Sequence, residues 1–328
     1  MNENDKKNTQ YMKCSDFAPA VVFAYRRVDK IKRCLDSLKN NHGYDRTEVY
    51  LFADGAKGER DSKDVDAVQN YLSNFSNEEN KHKKTIHLRL SSINKGLANS
   101  IIDGVTEVIK QYKKVIVIED DLILSPFFLD YMNGALKYYE SDECIWSISA
   151  YTPPIKLPKT YKKDLYLSYR ASSWGWATWK DRWDSVDWEV NSFQMVSGNK
   201  EMQRMFNRGG NDLFPMLVRQ MNGEIDSWAI RWCFSQSMQN KNTVYPVSTL
   251  IYNDGADGSG THHSIAININ STLVKGAPRL EVLDLDKRIA KRFYVFYSDT
   301  IWKKIKRNLT VKDMIKIAKR IYRKIFVR

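Results

Sequence analysis

The chain has 328 residues, 42% of them apolar and 12% aromatic, enough to bury the core of one or two domains and too many for a disordered segment. Its formal charge of +13 would suit a nucleic-acid binder, but 15 Lys/Arg against 2 Asp/Glu lie between Lys287 and Arg328, and the first 286 residues carry 37 of each sign. The excess belongs to a tail that carries no nucleic-acid motif, so nucleic acid is not expected as a partner.

Taken in chain order, residues 1–17 form an N-terminal extension whose opening, MNENDKKNTQYMK, lacks the apolar stretch of a signal peptide. No segment approaches the roughly 18 apolar residues that a membrane span needs. Cys14, Cys34, Cys144 and Cys233 are far apart and show no metal-ligand spacing, so reduced thiols in a cytoplasmic protein are expected.

Residues 18–150 alternate short β-branched runs with longer helical patterns. PAVVFAY (19–25), EVYLFAD (48–54), TIHLRL (85–90) and VIVIED (115–120) read as strands. Ile31, Leu35 and Leu38 form one intervening helix stripe, and Leu97, Ile101, Ile102, Val105 and Ile109 another. This α/β pattern predicts a mostly parallel, Rossmann-like sheet flanked by helices, with ligands outside the carboxyl ends of the strands.

Three of those strand ends carry chemistry. Tyr25-Arg26-Arg27 follows the first, and Asp54-Gly55 closes the second, where a carboxylate can accept from a base or ribose and glycine permits close backbone approach. Glu119, Asp120 and Asp121 end the most apolar strand. Strand alternation places Glu119 and Asp121 on one side and Asp120 on the other. Three adjacent carboxylates repel one another, and Mn²⁺ or Mg²⁺ completed by substrate phosphates would compensate them. The bland alternative is a solvated acidic turn before a helix with Ser125 as N-cap and Pro126 at its first position.

Residues 151–275 change to Pro-containing loops, a Trp-dense run, SSWGWATWKDRW, and several helices, as expected of an acceptor-binding half built onto the same sheet. Within YNDGADGSGTHH (252–263), three glycines and His262 suggest a mobile loop closing over a diphosphate or metal; an incidental flexible loop is the alternative.

VVFAYRRVDKIKRCLDSL, FADG, NKGLANSIIDGVTEVI and VIVIEDDLILSPFFLDYMNGALKYYESDECIWSISAY together resemble, in order and spacing, the N-acetylglucosaminyltransferase I family of GT-A glycosyltransferases and its bacterial relatives. The resemblance covers about residues 18–265. It implies a nucleotide-sugar-dependent inverting transferase in which the acidic triplet stands for the DxD motif. Asp121 would then ligate the metal, with His262 as a further candidate. Glu119 and Asp120 would face sugar and ribose, Asp54 the base, and Tyr25, Arg26, Gly55 and Lys95 would complete the nucleotide-sugar site. Inversion needs one base to deprotonate the acceptor hydroxyl. Asp226 in GEIDSWAIRW is the first candidate, also readable as a helix N-cap; Glu224 is the second, because Ser227 replaces the family's next acidic residue. Trp174, Gly175, Trp176 and Trp228 are the candidates for the sugar and acceptor pocket, and core packing is the competing reading.

Residues 276–328 form the basic tail. From Thr310, Val311, Met314, Ile315, Ala318, Ile321, Tyr322 and Ile325 make an apolar stripe among lysines and arginines. RFYVFYSDTIWKKIKR, before it, adds aromatics suited to a membrane interface. An amphipathic helix on an anionic membrane surface is expected, with a glycan or lipid-linked glycan as acceptor, and a helix docked on the body is the alternative. Two rival classes are a sugar-phosphate nucleotidyltransferase, for which FAYRRVDK lacks the phosphate-loop glycines, and a membrane-binding scaffold, which leaves the carboxylates unexplained.

Overall fold

The computed structural model describes residues 17–255 and 276–298. Strands β1 (Ala20–Ala24), β2 (Val49–Ala53), β3 (Ile86–Leu90) and β4 (Lys114–Glu119) fall where the β-branched runs place them and pair in parallel in the order β3-β2-β1-β4. Helices α1 (Val28–Lys39), α2 (Glu59–Lys81) and α3 (Leu97–Tyr112) make the crossovers. Ala20 and Val22 of β1 and Ile116 and Ile118 of β4 pack with Ile31, Leu35 and Leu38 of α1 in one core. Val21 and Phe23, with Val115 and Val117, face the other way into a second core that holds Ile101, Val105 and Ile109 of α3. Both faces are therefore covered, and each fully buried Val or Ile contributes about 1.5–3 kcal/mol. Leu97, placed on the α3 stripe, is instead 41% exposed, because it opens the helix at the rim of a cleft.

Beyond β4 the chain turns through β5 (Leu122–Leu124) into α4 (Phe128–Tyr138). The Ser125 cap is corrected here: the helix begins at Phe128, and Ser125 instead closes the preceding turn, its carbonyl accepting from the Phe128 amide at 3.0 Å. The sheet then continues with β6 (Ile145–Ser149), β7 (Leu165–Ser168), β8 (Trp176–Trp179) and β9 (Asn242–Pro246), in the full order β3-β2-β1-β4-β8-β6-β9-β7. β8 runs antiparallel to β4 and β6, and β7 antiparallel to β9. Helices α5 (Lys180–Asp184), α6 (Phe193–Ser197), α7 (Lys200–Phe206), α8 (Leu213–Met221) and α9 (Trp228–Met238) lie between β8 and β9 in sequence. A short β10 (Ile251–Asn253) pairs antiparallel with β5.

The last described helix, α10 (Lys287–Tyr297), buries Ile289 and Phe293 against Tyr166 of β7 and Tyr245 of β9. For Phe293 this corrects the membrane-interface expectation, since its ring is core. The stripe from Thr310 and His262 lie outside the described residues. No described helix is long and apolar enough to cross a membrane, and Cys34, Cys144 and Cys233 are free thiols.

Candidate functional site

At the carboxyl ends of β1, β2 and β4 lies a cleft of about 600 Å³ lined by Tyr25, Arg26, Arg27, Asp54, Lys95, Glu119, Asp120, Asp121, Trp174, Asn253 and Gly255, among others. The chain reaches it from the apolar interior, so the strand ends deliver polar groups to a place the sheet itself fixes. All three acids of the triplet are in this cleft. Their arrangement differs from simple alternation: the strand stops at Glu119 and turns, which brings Asp120 and Asp121 onto the same guanidinium. Arg27 Nη2 donates to Asp120 Oδ1 at 2.5 Å and to Asp121 Oδ2 at 2.9 Å.

Arg27 supplies the positive charge that the triplet requires. Burial works against its guanidinium, but the attraction of Asp120 and Asp121 outweighs burial and raises its pKa. Asp120 is pushed up to about 6 by burial, against the pull of Arg27. Glu119 is pushed up to about 8, first by burial and then by the charges of Asp121 and Asp120, with Arg27 pulling the other way more weakly. Because this value exceeds the ordinary 4.5, the unfolded chain binds fewer protons than the folded one between 4.5 and about 8, and stability falls as pH rises through that window. The melting temperature in the absence of divalent ions should therefore drop between about pH 5 and about pH 8, and Glu119→Gln should flatten the drop.

Asp121 Oδ1 is buried and has no hydrogen-bond partner among the described residues, and neither has Nη1 of Arg27. A buried carboxylate oxygen without a donor is costly unless a cation takes it up, so Asp121 fits a metal ligand. Among the described residues no three His, Cys, Asp or Glu side chains gather to hold an ion by themselves. The β5–β10 pairing frames this oxygen from the other side. The Asp254 amide donates to the Asp121 carbonyl at 2.7 Å, and a Cβ on Gly255 would stand 2.3 Å from Asp121 Oδ2, so only glycine leaves that carboxylate in place. Residues 252 and 253, read from sequence as part of a mobile loop, are thus strand.

The other sequence candidates divide. Tyr25 and Arg26 stand at the rim, both held by Asp61 at the start of α2: the tyrosine hydroxyl donates to it at 2.9 Å and Arg26 Nη1 at 3.1 Å. Asp54 lines the cleft, but its oxygens accept from the backbone amides of Gly55, Lys95 and Gly96 at 2.9–3.1 Å, which makes it the anchor of the loop leading into α3. Gly55 is needed for a close approach of chain, not ligand: a Cβ there would meet the Ile93 backbone at 2.5 Å. Lys95 lines the cleft and pairs with Asp103 at 3.1 Å.

Of the aromatic candidates only Trp174 lines the cleft, with Tyr151 packed edge-on at 4.7 Å. Trp176 and Trp228 are corrected to core residues, 1% and 2% exposed and stacked on each other at 5.0 Å in a cluster with Trp183 and Trp232. The register explains it: Trp176 pairs with Val117 and shares that residue's inward face, toward α9. Gly175 takes φ +56° in the core, where a side chain would press on Phe128 and Ile251. Trp176→Ala should cost about 3–5 kcal/mol in urea denaturation, whereas Trp174→Ala, at a half-buried position, should cost less and weaken ligand binding.

For the base, neither candidate is among the residues that line the cleft, and the two are placed differently. Ser227, not Asp226, caps α9, accepting from the Ile230 amide at 3.3 Å. Asp226 is left 58% exposed, 3.6 Å from Arg231 Nη2, with Oδ2 3.3 Å from the Cβ position of Gly96, a residue of the cleft wall. Glu224 bonds Asn222 and pairs with Arg219, neither of which lines the cleft. Arg27 and Gly255 are the site residues that sequence reading missed; the need for a compensating cation was the available signal for Arg27.

Solved structures similar to this chain include TarS residues 1–349 from S. aureus (10% identity, TM-score 0.42, 73% of this chain and 61% of that one). GalNAc-T7, solved with UDP, GalNAc and Mn²⁺, is 12% identical over 52% of this chain and 37% of that one, TM-score 0.38. The mannosyltransferase PcManGT from Pyrobaculum calidifontis, solved with GDP-Man and Mn²⁺, is 15% identical over 42% of this chain and 36% of that one, TM-score 0.32. The chain thus spans 36–61% of the length of these solved chains. No curated protein matches it in sequence. The GNT-I family model matches residues 1–194, more than half of the 328-residue chain, and on that match the chain belongs to the GNT-I family.

Proposed function

We propose that this chain is an inverting, metal-dependent GT-A glycosyltransferase that moves a sugar from a nucleotide diphosphate, with UDP-GlcNAc the first donor to test, onto a glycan or lipid-linked glycan. The observation that carries the reading is the buried Oδ1 of Asp121 at the strand end, without a hydrogen-bond partner among the described residues, beside a cleft wide enough for a nucleotide sugar. Asp121 would hold Mn²⁺ or Mg²⁺, with Asp120 beside it and substrate oxygens completing the shell. Bound there, the ion supplies Lewis-acid stabilisation of the charge that gathers on the departing diphosphate. The chain's own part is positional. Asp54 fixes the loop behind the donor, and Trp174 offers a flat apolar wall that shields the anomeric carbon from water. Asp226, at the wall formed by Gly96, takes the proton from the attacking acceptor hydroxyl as the new bond forms opposite the leaving group.

The tail from Thr310 is proposed to lie on the anionic inner face of the cell membrane, supported by its apolar stripe and its charge. Calorimetric titration of a panel of nucleotide sugars, with Mn²⁺ and with chelator, tests the donor site: metal-strengthened binding of one donor is expected. Equal affinity for every donor with and without metal would overturn the reading.

A further inference from the structure

A second cleft, of about 430 Å³, lies between α7 and α10 and is lined by Tyr169, Arg204, Asn207, Arg208, Ala290, Lys291 and Tyr294. It shares no residue with the first. Ser168 pairs with Thr243 near the start of β9, and β9, β6 and β4 run in one direction, so Tyr169 follows at the sheet edge opposite the acidic triplet. Three cations face this cleft and, among the described residues, no carboxylate lines it. Among the described residues neither Arg204 nor Lys291 makes an ion pair.

Arg208 is already in position. Its guanidinium lies 4.1 Å over the Tyr169 ring, Nε donates to the Met205 carbonyl at 3.0 Å, and Nη2 donates to Asn240 Oδ1 at 2.9 Å. These bonds fix the side chain without cancelling its charge, so a ligand meets a preorganised cation. Like charges brought together without an acidic neighbour repel one another, and a dianion is the group that relieves three of them at once. Tyr169 and Tyr294 add walls with hydroxyl donors.

We infer that the α7–α10 cleft is a binding site for a phosphate group, held by Arg204, Arg208 and Lys291 on the side of the sheet opposite the donor cleft. The inference does not depend on the donor reading. Because α10 is followed in sequence by the remainder of the basic tail, the phosphate can come from a lipid headgroup or from a soluble phosphoester such as a sugar phosphate.

The test uses the full chain, chelator throughout, and two probes: glycerol 3-phosphate in calorimetry, and sedimentation with phosphatidylcholine vesicles with and without phosphatidylglycerol. Both side chains are exposed, so Arg204→Ala/Lys291→Ala is expected to fold. It should weaken glycerol 3-phosphate binding by about tenfold or more, while Asp121→Asn should leave it unchanged. Weaker vesicle binding as well identifies a lipid headgroup as occupant; vesicle binding at the unaltered level identifies a soluble phosphoester. Glycerol 3-phosphate binding that survives the double substitution, or that is absent from the unaltered chain, overturns the site.

Discussion

Replacing Asp121 with asparagine is expected to lower sugar transfer by about 10²–10³-fold or more, the scale on which removal of one charge-stabilising group at a transition state is felt. The amide keeps the shape and still accepts from Arg27, but it loses the anionic Oδ1 that has no hydrogen-bond partner among the described residues. Mn²⁺ affinity, followed by the electron paramagnetic resonance of the free ion, should fall together with turnover. Stability should not. Neutralising one of three crowded carboxylates relieves repulsion, so the metal-free variant should melt at or above the temperature of the unaltered chain. An Asp121→Asn chain that turns over normally, or that loses activity only because it unfolds, would show that the orphaned oxygen has no part in the chemistry.

Asp226→Asn is the second large effect. Removal of a general base costs about 10²–10⁴-fold in kcat, with little change in donor KM, because the proton moves only during the chemical step. Glu224→Gln should be close to neutral, since its partners Asn222 and Arg219 lie away from the cleft. Measured side by side, the two substitutions test the assignment directly, and the reverse ranking would transfer the role to Glu224. The capping geometry sharpens the contrast: Ser227 already satisfies the first turn of α9, so loss of the Asp226 charge should leave urea stability within about 0.5 kcal/mol.

The parts of this molecule that could be read from sequence are those governed by short-range periodicity. β1, β2, β3 and β4 were legible because buried strands and amphipathic helices repeat with different spacings, and the acidic triplet was legible because carboxylates are rare at the end of such an apolar run. What failed depended on where the chain turns. Strand alternation put Asp120 on the far side, but the strand ends at Glu119, and the turn sends Asp120 and Asp121 to one guanidinium. Arg26 and Arg27 are indistinguishable as letters; the exit from β1 sends the first to Asp61 at the rim and the second into the cleft. Trp174 and Trp176 are likewise two positions apart, yet the left-handed glycine between them separates a cleft wall from a core indole. Gly255 is a long-range case, since its need to be glycine is set by a carboxylate 134 positions earlier, at Asp121.

The docking of α10 bears on where the chain can be shortened. β7 is the outermost strand of the sheet, and Ile289 and Phe293 cover the tyrosines of β7 and β9. Ending the polypeptide at 286 would strip that cover and leave an aromatic sheet margin open to self-association, a hazard for expression and crystallisation. A stop after Ser298 keeps the cover while removing 9 of the 13 units of positive charge carried by residues 287–328, and so offers the better boundary for a soluble fragment.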